Sequence, residues 1–180
     1  MRGEKLKSAL PYAGLPVVGG ALLFVHIGRL DSFSLLRLAL IVIFGYIAAV
    51  RDAYSKRIAN GLVIAMLAAW ATIMTPILFL DTNAAIDHLA DSALGFVISG
   101  GLFLVVYLIS RKGLGGGDVK FMAAAGLYLG FESALSAMLY GTILAAVTGL
   151  ALILFKKIGR KDTIPLAPFL YSGILLTVFL

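Results

Sequence analysis

Two aspartates in this chain stand where carboxylates are unusual. Asp118 follows Gly113-Leu114-Gly115-Gly116-Gly117, four glycines in five positions, and immediately precedes an apolar run beginning at Val119. Asp52 lies two residues beyond the apolar run that ends at Val50. Two carboxylates held together in a partly dehydrated site cannot both ionise easily, so such a pair titrates as one unit. That is the arrangement aspartyl hydrolysis needs. The ionised member draws a proton from water, and the protonated member polarises a carbonyl. The chemistry calls for no nucleophilic serine or cysteine, no metal and no organic cofactor. Glycines have no Cβ, so they permit positive φ and let a second backbone approach the Asp118 carboxyl. Each aspartate also has a plain structural explanation. Asp118 suits a helix N-cap, and Asp52 could pair with Arg51, Lys56 or Arg57 at a surface.

The elements that would position this pair are membrane helices. The chain has 180 residues, of which 61% are hydrophobic and 13% charged, and its mean hydropathy is +1.04. Ordinary soluble domains are roughly 45–50% apolar. Apolar runs extend from about Ala9 to Ile27, Leu35 to Val50, Ile58 to Leu80, Ser92 to Ile109, Val119 to Phe155 and Thr163 to Leu180. Several reach or approach the ~20 residues that cross a hydrocarbon core, and they are too many and too long for a cleaved signal peptide. The run 119–155 is long enough for two short spans, with Glu132 as the expected turn. The fold expected is an all-α, polytopic bundle of six or seven transmembrane helices. It forms one domain over 1–180, with an extra N-terminal span in 1–30 and a six-helix core over 35–180.

Charge placement orients the bundle. The net charge of +6 sits in short segments between apolar runs, which reads as a topology signal rather than as nucleic-acid binding. With the N-terminus inside, seven spans place the basic segments 51–57, 111–120 and 156–161 in the cytoplasm. The segment 81–91, with Asp81, Asp87 and Asp91 and no lysine or arginine, falls outside as an expected solvated loop. Asp52 and Asp118 then share the cytoplasmic face. No cysteine is present, which removes disulfides, thiolate metal sites and cysteine nucleophiles. His26 and His88 are isolated from each other and from the aspartates, and Trp70 lies mid-run, where packing is the default. The glycines at 113–117 lack the Gly-Lys-Ser/Thr continuation of a phosphate loop.

With both aspartates placed, the sequence resembles the type IV prepilin peptidase family, membrane aspartyl proteases with a Gly-x-Gly-Asp motif. Gly115-Gly116-Gly117-Asp118 matches that motif, and Lys120 matches a lysine often found two residues beyond it. The other half of the family pattern is an aspartate followed, six residues later, by Ile-Pro-Asn. Asp52, Ile58 and Asn60 fill its positions, and Ala59 stands where the family has proline. Ile164-Pro165-Leu166-Ala167-Pro168-Phe169 is similar to the family's entry into its last helix. The resemblance covers about residues 45–175. It implies an inner-membrane endopeptidase that removes the short basic leader of pilin-like precursors at the cytoplasmic face. Asp52 and Asp118 would be catalytic, and Gly115, Gly117, Lys120 and Asn60 supporting. Bifunctional members also methylate the new N-terminus through a domain with paired CxxC motifs. This cysteine-free chain looks like the peptidase-only branch, as in tight-adherence pilus systems or archaeal preflagellin and prepilin processing.

Two other readings use the same residues. A small proton- or cation-coupled transporter would place the carboxylates near mid-membrane, with access from both sides. A noncatalytic assembly subunit would tolerate loss of either one. A presenilin-like protease shares the Gly-x-Gly-Asp aspartate, but its Pro-Ala-Leu motif is not present in that order.

Overall fold

The computed structural model describes residues 14–26, 31–110, 113–159 and 162–180. Among them the elements are all helices: α1 (Leu15–His26), α2 (Ser32–Ser55), α3 (Asn60–Leu80), α4 (Thr82–Ser110), α5 (Gly116–Leu154) and α6 (Ala167–Phe179). Helices α2 to α5 are each long and apolar enough to cross a membrane. The molecule is a polytopic helical membrane bundle. The expected first span, Ala9 to Ile27, lies partly outside the described residues, and α1 is the part within them.

Helix α5 is two helices joined at a break. Gly130 has φ 76 and ψ −176, a region that only glycine occupies readily. The chain runs away from Asp118 along 116–129, reverses at Gly130 and returns along 131–154, where Gly149 lies beside Ile164 near the start of α6. The expected turn therefore exists, but two residues before Glu132. A helix break leaves backbone groups without intrahelical partners, and side chains from other helices take them up. Phe131 N–H donates to Asp91 Oδ1 at 2.9 Å. Trp70 Nε1–H donates to Leu127 O at 3.0 Å.

These contacts correct two expectations. The segment 81–91 is not a solvated loop. Asp81 alone joins α3 to α4, its Oδ1 accepting from Ala84 N–H at 3.1 Å, and 82–91 is the first part of α4. An acidic, lysine-free segment reads as loop by charge, yet Asp81 is a strong N-cap and the residues beyond it are ordinary helix formers. Trp70 is more than packing, because its indole N–H satisfies a carbonyl freed by the break.

Small residues let the helices close on one another, as membrane packing requires. A Cβ at Gly95 would lie 2.3 Å from Gly126 O, and one at Gly173 2.2 Å from Ala137 O. The fully buried Ser99 hydroxyl, which can donate to one carbonyl at a time, lies 2.8 Å from Met122 O and 2.5 Å from Gly95 O. Helix 116–129 is thereby the core element, with Phe121, Met122, Ala124, Ala125 and Tyr128 fully buried. Its central position holds Asp118, at its first turn, in a fixed place.

Candidate active site

Four helix ends meet where the two aspartates lie. Asp52 sits in the last turn of α2, which continues five residues past Val50 to Ser55. Asp118 sits in the first turn of α5. The start of α3 and the start of α6 complete the group. Arg51, Lys56, Arg57 and Lys120 belong to these same ends, whereas Asp31, Asp81, Asp91 and Glu132 belong to the opposite end. Apart from Arg37, which shares a pocket with Asp91 and Glu132, the charge asymmetry read from the sequence is thus a property of the folded bundle.

A cleft of about 230 Å³ is lined by Asp52, Lys56, Arg57, Ile58, Gly115, Gly116, Gly117 and Asp118. Both aspartates reach it from helices far apart in sequence. Asp52 is buried, at 5% exposure, and its Oδ2 accepts the backbone N–H of Ala167 at 3.0 Å. Ala167 is the first residue of α6, so Asp52 caps the amino end of that helix. Asp118 Oδ2 accepts from Gly115 N–H at 3.2 Å, whereas Asp118 Oδ1 is buried and has no hydrogen-bond partner. An unpartnered buried carboxylate oxygen is costly in a finished structure.

The glycines act through space rather than through unusual dihedrals. Gly115 has φ −80 and ψ 140, and among the described glycines positive φ occurs only at Gly130. A Cβ at Gly115 would come within 2.9 Å of Asp118 Oδ2, and one at Gly117 within 3.2 Å of Ile58 Cβ. At Gly116 the nearest neighbour would be Tyr107, at 4.0 Å. Gly117 therefore lets the start of α5 press against Ile58, which is itself buried. The segment with Ile58, Ala59 and Asn60 is in this way docked on the glycine segment.

Lys120 and Asn60 are brought together as well, with Lys120 Nζ donating to Asn60 Oδ1 at 3.1 Å. Asn60 opens α3, whose N-cap is Ala59 at φ −70 and ψ 135. Alanine holds there the extended backbone that proline would fix. Every candidate residue from the sequence thus lies at one end of the bundle. Lys56, read from the sequence only as a surface partner for Asp52, lines the cleft and donates from Nζ to Thr163 O at 2.9 Å, and Ala167, which was missed, contributes a backbone N–H that no side-chain pattern announces. His88 lies at the opposite end, its ring 4.9 Å from that of Phe33.

Fold and site define a class: a polytopic helical membrane protein with two aspartates facing one cleft at one end of the bundle. The chain belongs to the type IV leader peptidase family, whose model matches residues 39–150. It is 32% identical over 133 residues to the prepilin leader peptidase/N-methyltransferase of Bacillus subtilis (strain 168), covering 72% of this chain and 50% of that protein. Proteins of the same description from Aeromonas salmonicida (strain A449) and Burkholderia pseudomallei (strain 1026b) are 29% and 32% identical over 85 and 78 residues. Those matches cover 47% and 43% of this chain and 29% and 25% of those proteins. The chain spans half or less of the length of these curated relatives. No solved structure matches it significantly.

Proposed function

We propose that this protein is an aspartyl endopeptidase that cleaves the short basic leader of type IV pilin-like precursors, working at the cytoplasmic face of the inner membrane. The observation that carries the reading is the shared cleft. Asp52 and Asp118, from separate helices, line one cavity of about 230 Å³, in a chain of the type IV leader peptidase family. One carboxylate takes a proton from a water molecule as the water oxygen bonds to the scissile carbonyl carbon. The other gives its proton to the carbonyl oxygen. Collapse of the tetrahedral adduct breaks the C–N bond: the protonated carboxyl gives its proton to the leaving nitrogen, and the ionised one takes a hydroxyl proton from the adduct, which restores the pair.

The surroundings support that use. Of the three glycines that line the cleft, Gly116 has the most open surroundings, and an extended peptide could approach Asp118 across it. The cations Arg51, Lys56, Arg57, Lys156 and Lys157 lie at the same end, which supports a cytoplasmic orientation. A precursor whose apolar helix sits in the bilayer would present its leader at this level. The 180 residues contain no cysteine, so the paired CxxC motifs of bifunctional members are not among them.

The reading is tested with the purified chain in liposomes, a pilin-like precursor with a basic leader, and an S-adenosylmethionine methyl donor. The expected result is one cut, at the leader boundary, with no methyl incorporation. A panel of precursors left intact, together with proton or cation flux abolished by Asp52→Asn, would replace the peptidase reading with the transporter.

A further inference from the structure

Asp52 is buried at the end of a helix and is held through a closed ring of contacts that the two aspartates alone do not account for. Its Oδ2 takes the N–H of Ala167 at 3.0 Å. Ala167 opens α6, and the strand of chain that leads into it begins at Thr163, on the far side of the basic segment 156–161. That lead-in is tethered to the end of α2 by a side chain: Lys56 Nζ donates to Thr163 O at 2.9 Å. Lys56 is four residues beyond Asp52, and its own backbone N–H donates to Asp52 O at 2.7 Å. The ring therefore runs from the Asp52 carboxylate to Ala167, back along the lead-in to Thr163, across the Lys56 side chain and down one helical turn to Asp52.

The backbone of Lys56 is unusual in a way that serves this ring. It is the C-cap of α2 in the left-handed conformation, φ 51 and ψ 35, where glycine is the ordinary choice and a lysine carries a conformational cost. Ser55 Oγ donates to Arg51 O at 2.7 Å and so closes the same turn. The left-handed cap ends α2 one turn after Asp52, and only a long donor side chain at that point reaches Thr163. A glycine would end the helix equally well and reach nothing.

We propose that Lys56 is a positioning residue for Asp52, tethering the Thr163 carbonyl so that the Ala167 N–H stays on the Asp52 carboxylate in the cleft. This rests on the peptidase reading for its catalytic consequence, but the tether itself is a property of the fold. Thr163 and Ala167 lie in the segment 163–169, so entry of the chain into α6 sets the geometry of an aspartate 115 residues away. Misplacement of a reacting group by a fraction of an ångström costs rate rather than affinity.

Three variants separate the tether from the helix stop. Lys56→Met keeps the stem and removes the donor, Lys56→Arg restores a donor, and Lys56→Gly keeps the left-handed cap without a side chain. With the full chain and a precursor peptide, Lys56→Met and Lys56→Gly are expected to lower kcat about 10-fold with KM held, and Lys56→Arg to recover most of it. Hydrogen exchange at the Ala167 amide, read without substrate, is expected to quicken about 10-fold in Lys56→Met and Lys56→Gly and to return towards wild type in Lys56→Arg. Unchanged exchange overturns the tether. A raised KM at unchanged kcat also overturns the proposal, since it makes Lys56 a substrate contact. If wild type cuts no precursor, the peptidase reading falls while the exchange experiment still decides the tether. If both aspartates prove essential and Lys56→Met changes neither kcat nor exchange, the peptidase reading stands and the tether falls.

Discussion

Lys120 Nζ donates to Asn60 Oδ1 at 3.1 Å, joining residues 60 positions apart. The contact ties the start of α3 to the start of α5, two residues beyond Asp118 and eight beyond Asp52 in their respective segments. It is exposed, so its value is that of a solvated hydrogen bond to a cation, about 1 kcal/mol. Its effect on the site is geometric, since it fixes the glycine segment against the Ile58 turn.

Removing either partner should then cost the same thing. Asn60→Ala and Lys120→Met are each expected to lower kcat/KM about fivefold, equivalent to roughly 1 kcal/mol, and the double variant to be no worse than either single one. A double-mutant cycle on precursor cleavage reads this. Additive losses would mean that the two residues act separately, with Lys120 on substrate or Asp118 directly.

The glycines give an ordered prediction. Gly115→Ala brings a methyl to 2.9 Å from Asp118 Oδ2 and Gly117→Ala to 3.2 Å from Ile58 Cβ, whereas Gly116→Ala meets only Tyr107 at 4.0 Å. Cleavage rates should fall most for the first two and least for Gly116→Ala, by a factor of about 10 or more between the groups. Equal losses at all three positions would point to a demand for backbone flexibility instead.

At the opposite end, Gly130→Ala places a methyl 1.9 Å from Asp91 Oδ2 in a conformation with φ 76. Strain of that kind costs about 1–3 kcal/mol before the clash is added. Asp91→Ala removes the acceptor of the exposed Phe131 N–H, a loss of about 1 kcal/mol. Both variants should lower the thermal unfolding midpoint in detergent, and Asp91→Asn, which keeps an acceptor oxygen, should lower it less. A Gly130→Ala protein as stable as wild type would contradict the break described for α5.

Trp70→Phe offers a separate check on the same break. It keeps the aromatic bulk but loses the donor to Leu127 O, so destabilisation by about 1–2 kcal/mol is expected. A stability unchanged within error would mean that water or another donor reaches that carbonyl.

How much of this was legible in the sequence follows from what kind of signal each feature leaves. The membrane bundle was legible because apolar run length and the distribution of lysine and arginine register directly as spans and sides. That Asp52 and Asp118 share one end of the bundle was legible because both stand at ends of apolar runs on the same predicted side; that both line one cleft was not. The role of Gly117 against Ile58 was half legible: glycine signals a close approach, but not by which residue. The helical character of 82–91 was hidden because acidic residues suited to a loop are equally suited to the first turns of a helix behind the Asp81 cap. The break at Gly130 rather than Glu132 was hidden because charge marks a turn only approximately, while the positive φ that makes it needs glycine. The Ala167 N–H and the Thr163 carbonyl left no trace, since backbone groups are the same in every residue.

The account turns on Asp52 and Asp118 acting together on a peptide bond. The direct measurement is cleavage of a pilin-like precursor by wild type, Asp52→Asn and Asp118→Asn, at matched membrane abundance and with folding verified by the unfolding midpoint. Asparagine keeps the shape of each side chain and cannot supply an ionised carboxylate. Wild type is expected to convert the precursor to the shorter product, and each single variant to lose at least about 1,000-fold in rate, because the two groups act as one unit. A folded Asp52→Asn or Asp118→Asn protein that cuts at the wild-type rate would contradict the paired-aspartate mechanism.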